Sequence, residues 1–272
     1  MKDTSKYVNV ENLLGPKLTE KLPRFVINYI KKIAHEAELN EAIDLSQGAQ
    51  GADFFKPALD YLDITYNVRG KENLPKQGKF IFVCNHPLGG PEALIVGEAI
   101  RCSFGNDIRF IANSLLNEMK PLASVFFPVN LLGGGQKRDL SEKINQLFNS
   151  DNQVCMFPAG TCAKKIKGEI VEMPWKKAFV KYAKASQRDI IPIHCTGRNS
   201  NWYYFLSDIS RLFKLKVNLG MFYLVDELFK HKHHSFDVTF GKPISWEKLD
   251  NSKSDLQWAA EIRETVIELG KK

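Results

Sequence analysis

The chain has 272 residues, 44% apolar and 25% charged, a globular composition long enough for a substantial core and incompatible with general disorder. Its formal net charge of +7 favours anionic partners (nucleic acid, acidic lipid headgroups or phosphorylated substrates) without choosing among them. No apolar run reaches the roughly 18 residues that span a bilayer, and Met1-Lys2-Asp3-Thr4-Ser5-Lys6 leads into no signal-peptide core, so the expected place is the cytoplasm, with any membrane met from the side.

In chain order, the first 50 residues read as helical. From Leu22 to Ala34, Phe25 or Val26, Tyr29 or Ile30, and Ile33 share a face while Lys31 and Lys32 fall towards the other. That amphipathic period fits either a helix packed on the core or an interfacial helix with lysines at headgroup level. From about residue 60 strands and helices alternate. The expected strands are Tyr61–Val68, Phe80–Cys84, Ile108–Ala112, Phe126–Val129, Gln153–Phe157, Ile190–His194 and Phe236–Phe240. Several are short continuous apolar runs, the mark of strands covered on both faces. The expected helices are Pro91–Arg101, Arg138–Phe148, Trp175–Ala185, Trp202–Lys214 and Asp255–Leu269, the last capped by Ser254 or Asp255. The pattern predicts an α/β fold with a mostly parallel or mixed central sheet flanked by helices. It divides into an N-terminal helical, membrane-associating segment over 1–58 and an α/β domain over 59–272. Five cysteines, none in a C-x-x-C pair, read as reduced structural thiols.

The most informative stretch begins at Phe80. A buried strand ends at Asn85-His86, a tight Pro87-Leu88-Gly89-Gly90 loop follows, and Pro91 starts a helix with Glu92 in its first turn. Loops beyond the C-terminal ends of strands are where open α/β sheets bind ligands. The loop can fold Glu92 back onto His86. A carboxylate on one imidazole nitrogen sets the tautomer and leaves the other nitrogen as a base. Spacing alone equally allows a plain turn with its histidine bonded to backbone.

Asn85-His86-Pro87-Leu88-Gly89-Gly90-Pro91-Glu92 resembles the first motif of the lysophospholipid acyltransferase superfamily, the PlsC-like glycerolipid acyltransferases: Asn-His, four variable residues, then Asp. The Pro-Leu-Gly-Gly form, with its carboxylate one place later, resembles the hemolysin-like branch, which includes O-acyltransferases that finish ornithine and glycine aminolipids. Glu92 stands where that branch usually has Asp. Phe127-Pro128-Val129-Asn130 with Gly133-Gly134-Gly135 and Lys137-Arg138 occupies the place of the second motif. Phe157-Pro158-Ala159-Gly160-Thr161 resembles the third, Phe-Pro-Glu-Gly-Thr, with Lys164 as its basic residue and Lys165 adjacent. Ile191-Pro192-Ile193-His194 resembles the fourth. Gly197-Arg198-Asn199-Ser200-Asn201 and Phe240-Gly241-Lys242-Pro243-Ile244 also resemble that branch. Order and spacing over roughly residues 60–246 carry the resemblance.

The resemblance implies transfer of a fatty acyl group from acyl carrier protein or coenzyme A to a lysolipid hydroxyl, at the cytoplasmic face of the inner membrane and on an anionic surface. His86 is then the base and Glu92 its orienter. Asn85, Gly89, Gly90, Lys137, Arg138, Pro158, Ala159, Gly160, Thr161 and Lys164 are the candidate substrate contacts. Backbone N–H groups near Gly160 are expected at the oxyanion, and one or two of the cations at a phosphate or carboxylate headgroup. The acyl thioester is the only co-substrate expected, with no metal or redox cofactor. The acceptor is a lysophosphatidate or, favoured by the branch details, an N-acylated amino acid. Competing readings are a non-catalytic membrane-binding protein and, third, a nucleic-acid binder, although no recognised nucleic-acid motif is present. His231-Lys232-His233-His234 reads as a solvated basic loop rather than a metal site. The Gly133–Arg138 run lacks the Gly-Lys-Ser/Thr ending of a nucleotide-binding loop.

Overall fold

The computed structural model describes residues 7–113, 119–129, 137–215 and 218–271. Five helices open the chain: α1 (Val10–Leu14), α2 (Pro16–Thr19), α3 (Arg24–Ile33), α4 (Glu36–Leu45) and α5 (Phe55–Tyr61). Then come β1 (Thr65–Arg69), β2 (Ile81–Cys84), α6 (Pro91–Phe104), β3 (Ile108–Asn113), β4 (Phe126–Val129), α7 (Lys137–Asn149) and β5 (Gln153–Met156). The hairpin β6 (Lys164–Ile166) and β7 (Glu169–Val171) leads to α8 (Ala178–Ser186), β8 (Ile190–Cys195), α9 (Asn201–Leu212), α10 (Leu224–Lys230), β9 (Ser235–Phe240) and α11 (Asp255–Leu269).

All seven expected strands lie in one sheet, ordered β1-β9-β8-β2-β5-β3-β4. Every neighbouring pair is parallel except β8 with β9, so β1 and β9 run against the other five. This is the mostly parallel, mixed α/β sheet the alternation predicts. The first strand begins at Thr65 rather than Tyr61, because Tyr61 closes α5 and Asp63 turns the chain at a positive φ of 47°. Ser254 caps α11 in a reciprocal pair with Gln257. The hairpin and α10 are absent from the sequence-based reading.

The residues of β2 show how the core is divided. Phe82 and Cys84 point into one apolar cluster with Phe55 of α5, Ile95 of α6 and Phe110 of β3. Ile81 and Val83 point into a second, with Phe148, Phe179 and Ile262 of α7, α8 and α11. Both faces of the strand are covered, which is why it reads as an unbroken apolar run. Residues ahead of the sheet, including Ile43, Ala52 and Phe54, belong to the first cluster. In α3, Ile27 is buried but Phe25 and Tyr29 face outwards. No helix among the described residues is long and apolar enough to cross a membrane.

Topology also sets the position of the site. From β2 the chain goes through α6 to β3, passing over the slot that β5 later fills. From β5 it goes the other way, through α8 to β8 on the far side of β2. The connections leaving these adjacent strands therefore diverge and open a crevice at their C-terminal ends.

Candidate active site

The crevice is lined by the loops that leave β2 and β5. Asn85, one residue beyond β2, is buried and clamps β2 to β8: its Nδ2 donates to the Cys195 carbonyl at 2.9 Å and its Oδ1 accepts from the Cys195 N–H at 2.8 Å. The next residue, His86, is thereby held at the strand's end with its side chain 19% exposed. The loop after it wraps around one carboxylate. The N–H groups of Leu88 and Gly89 donate to Glu92 Oε1 at 3.1 and 2.7 Å, and that of Gly90 to Oε2 at 2.9 Å. Those donors and the α6 N-terminus favour the ionised acid. Gly89 is required there: its φ is +90°, and a Cβ would lie 2.6 Å from Leu224 Cδ2 and 2.7 Å from Cys162 Sγ.

Glu92, fully buried, places Oε1 2.7 Å from His86 Nδ1. With the carboxylate accepting, Nδ1 carries the proton and Nε2 is the ring's basic nitrogen. Burial pushes the Glu92 pKa up, but the bond to His86 and the Gly89 N–H outweigh it, and the carboxyl is held below its ordinary value. Burial disfavours the imidazolium; Cys162 and Glu92 outweigh that, and the ring's pKa is raised well above its ordinary value. Phe157, straight after β5, stacks on the ring with centroids 4.5 Å apart. The Ala163 N–H donates to the His86 carbonyl at 2.8 Å, closing the 157–163 loop over the histidine. A fixed, partly exposed imidazole backed by a buried carboxylate can take a proton from a hydroxyl and pass it to a leaving group.

The family described as "Acyltransferase" matches residues 9–272. The chain belongs to this acyltransferase family. Two curated relatives each carry the name "Lyso-glycine lipid O-acyltransferase". One, from Bacteroides thetaiotaomicron, is 38% identical over 273 residues, covering 99% of this chain and 100% of the relative. The other, from Phocaeicola vulgatus, is 38% identical over 270 residues, covering 98% and 96%. Among solved structures, the 1-acyl-sn-glycerophosphate acyltransferase PlsC from Thermotoga maritima superposes with a TM-score of 0.49 at 17% identity, covering 91% of this chain and 90% of that one.

Within the acyltransferase, the candidate contacts read from sequence fall into separate groups. Asn85 has both ends of its amide engaged by Cys195. Gly89 and Gly90 serve the Glu92 carboxylate. Of the N–H groups near Gly160 expected at the oxyanion, that of Gly160 itself donates to the Phe157 carbonyl at 2.9 Å, closing a turn. Pro158 accepts from the Lys176 N–H at 3.0 Å, and Ala159 is buried in the second apolar cluster. Thr161 is half-buried, and Lys164 is a half-buried residue of β6. Lys137 and Arg138 begin α7, but their side chains lie outside the described residues, as do Asn130 and Gly133–Gly135. In the histidine loop Lys232, His233 and His234 are exposed, with His233 bonded to the exposed Asp63, while His231 is buried edge-on to Phe236.

Two neighbours of His86 in the acyltransferase, and a lysine beside Gly160, escape the sequence reading. Glu172 Oε2 accepts from the His86 N–H at 3.1 Å, while its Oε1 accepts from Trp175 Nε1 at 2.9 Å; burial raises its pKa. A two-residue Lys167-Gly168 tip, with φ of 50° and 92°, is the hairpin signal that would have pointed to it. Cys162 lies against both the His86 ring and the Tyr203 hydroxyl, and only its place after Thr161 hints at this. Lys176 brings its ammonium to Gly160, where a Cβ would lie 2.8 Å from Nζ. Asn199, from the branch-like stretch, is buried, and its Oδ1 has no partner among the described residues.

Proposed function

We propose that the acyltransferase esterifies the free hydroxyl of a lysolipid, an N-acylated glycine lipid, with a fatty acyl group taken from acyl carrier protein or coenzyme A at an anionic membrane surface. The 2.7 Å contact between His86 Nδ1 and the buried Glu92 carboxylate carries the mechanism; the shared name of the two relatives supports the acceptor. His86 Nε2 removes the hydroxyl proton as oxygen attacks the thioester carbonyl. The tetrahedral intermediate collapses with loss of thiolate, which takes the proton from the imidazolium, leaving an ester and a free thiol. Glu92 holds the ring in register and stabilises its charged form. No step in this chemistry calls for a metal or redox cofactor.

The test is acyl transfer by purified protein, followed by lipid mass spectrometry, with acyl carrier protein and coenzyme A thioesters offered separately. Diacylated glycine lipid is the expected product. His86→Ala should lower turnover by about 10²–10⁴-fold with an unchanged circular dichroism spectrum. Full turnover by that variant ends the base assignment; acylation of lysophosphatidate but not of lyso-glycine lipid ends the acceptor assignment.

A further inference from the structure

Helix α9 has two unlike faces. Tyr203, Tyr204, Leu206 and Ser210 are buried, whereas Trp202, Phe205 and Leu212 are exposed. Positions 202, 205 and 212 fall along one side of a helix, so an apolar stripe faces solvent. The turn at Leu219–Tyr223 is locked onto the same helix: the Leu219 N–H donates to Ser210 Oγ at 2.8 Å, and a Cβ on Gly220 would lie 2.5 Å from Ser207 Oγ. Met221 and Phe222 of that turn are exposed. Helix α3 joins them, since the hydroxyls of Tyr29 and Tyr223 share a hydrogen bond of 2.5 Å. Phe25, one turn earlier, is 75% exposed. The Trp202 ring stacks on Phe205 at 5.6 Å and meets Tyr223 edge-on at 6.2 Å. Segments almost 200 residues apart, with a separation of 194 between the two tyrosines, thus build one continuous apolar face. Large exposed patches of this kind mark interaction surfaces.

Its border is cationic. Lys165 and Arg198 converge on the side-chain oxygen of Asn201, the first residue of α9, at 3.3 and 2.8 Å. Lys214 follows the helix's other end, and Arg24 stands beside Phe25. Lys165, Arg198 and Lys214 have no carboxylate partner among the described residues, while Asp208 is neutralised by Arg211 at 3.0 Å. Two copies meeting through this face would bring cation against cation. Tryptophan and tyrosine within a cationic border instead match the headgroup layer of an anionic bilayer. The inner side of α9 packs Tyr203 and Tyr204 on Cys162, so one helix separates the face from the His86 crevice.

We propose that the face formed by α3, α9 and the Leu219–Tyr223 turn seats the enzyme on an anionic lipid bilayer, with its aromatic side chains at headgroup depth and Lys165, Arg198 and Lys214 on lipid phosphates. This rests on the lysolipid reading only for its purpose, which is to let the acceptor enter the crevice from the membrane.

Vesicle sedimentation tests it. The full chain should bind phosphatidylglycerol vesicles more tightly than phosphatidylcholine vesicles, and salt should narrow the difference. Phe205→Glu with Phe222→Glu should weaken vesicle binding at least tenfold and slow acylation of vesicle-embedded lysolipid. Their turnover on lysolipid in detergent micelles should match that of the unmodified chain. Phe25→Glu is a second, independent probe of the same face. Equal vesicle binding by the unmodified chain and these variants overturns the proposal, as does a dimer in sedimentation that the variants dissociate. Vesicle binding without acyl transfer in micelles would remove the lysolipid reading and leave the surface standing; transfer in micelles without vesicle binding would do the reverse.

Discussion

At the scale of single residues, the site is an argument about where one proton sits. Burial lowers the His86 pKa, but Cys162 and the buried Glu92 carboxylate outweigh it and raise it well above 6.5. As the proposed base, His86 must be neutral to act, so its active form appears only above that raised pKa. The kcat/KM profile is therefore expected to rise with pH, with a midpoint above 6.5. In Glu92→Gln the supporting charge is gone while burial remains, so the midpoint should move to lower pH. The plateau should also fall, by on the order of 10²–10⁴-fold, because the ring loses the acceptor that fixes its tautomer. A profile unmoved in that variant would separate Glu92 from the titrating group. The same shifts act on folding. The raised His86 contributes stability that is present below its unfolded pKa and lost as pH climbs through the folded value. The depressed Glu92 contributes stability lost as pH falls through its own.

Among the elements, β2 and its neighbours hold His86 in place. Asn85 joins β2 to β8 through two hydrogen bonds to Cys195, 110 residues away. Removing it leaves a buried backbone N–H and carbonyl unpaired. Asn85→Ala is expected to cost about 2–3 kcal/mol in chemical denaturation, at 1–3 kcal/mol for each group left unpaired less some relaxation. Because the amide is engaged within the protein, KM for the lysolipid should stay unchanged; a large rise in KM would return Asn85 to the substrate. Pro192 illustrates a related constraint. It sits in β8 just before the pairing with β9 begins at Ile193, and it contributes its carbonyl to the Gly241 N–H at 2.8 Å although it has no N–H to donate in return.

For the whole molecule, the sheet's crevice depends on helices that come before it in the chain. Phe55 of α5 is 1% exposed and lies against α6 at Gly97, where a Cβ would stand 2.6 Å from its Cζ. It also meets Phe110 of β3 edge-on at 6.1 Å. The ring therefore ties the N-terminal helices to the helix that carries Glu92. Phe55→Ala should destabilise the fold by about 3–5 kcal/mol through lost burial and the cavity left behind, read as a lower denaturation midpoint. A loss under about 1 kcal/mol, within the range of ordinary surface substitutions, would show that the two parts are not packed as one core.

The sequence by itself determined the strands, the long helices of the α/β alternation and the local link between His86 and Glu92. Those depend on short-range causes: apolar runs covered on both faces, a proline that starts α6, and a loop in which His86 and Glu92 are 6 residues apart. Tertiary structure alone decided the rest. The crevice between β2 and β5 arises from the order in which strands insert. Glu172 reaches the His86 backbone from 86 residues away, and the turn that consumes the Gly160 N–H is set by the loop closed over His86. The apolar face joins residues 194 positions apart. Contacts across such separations leave no period in a sequence, because only packing brings their partners together.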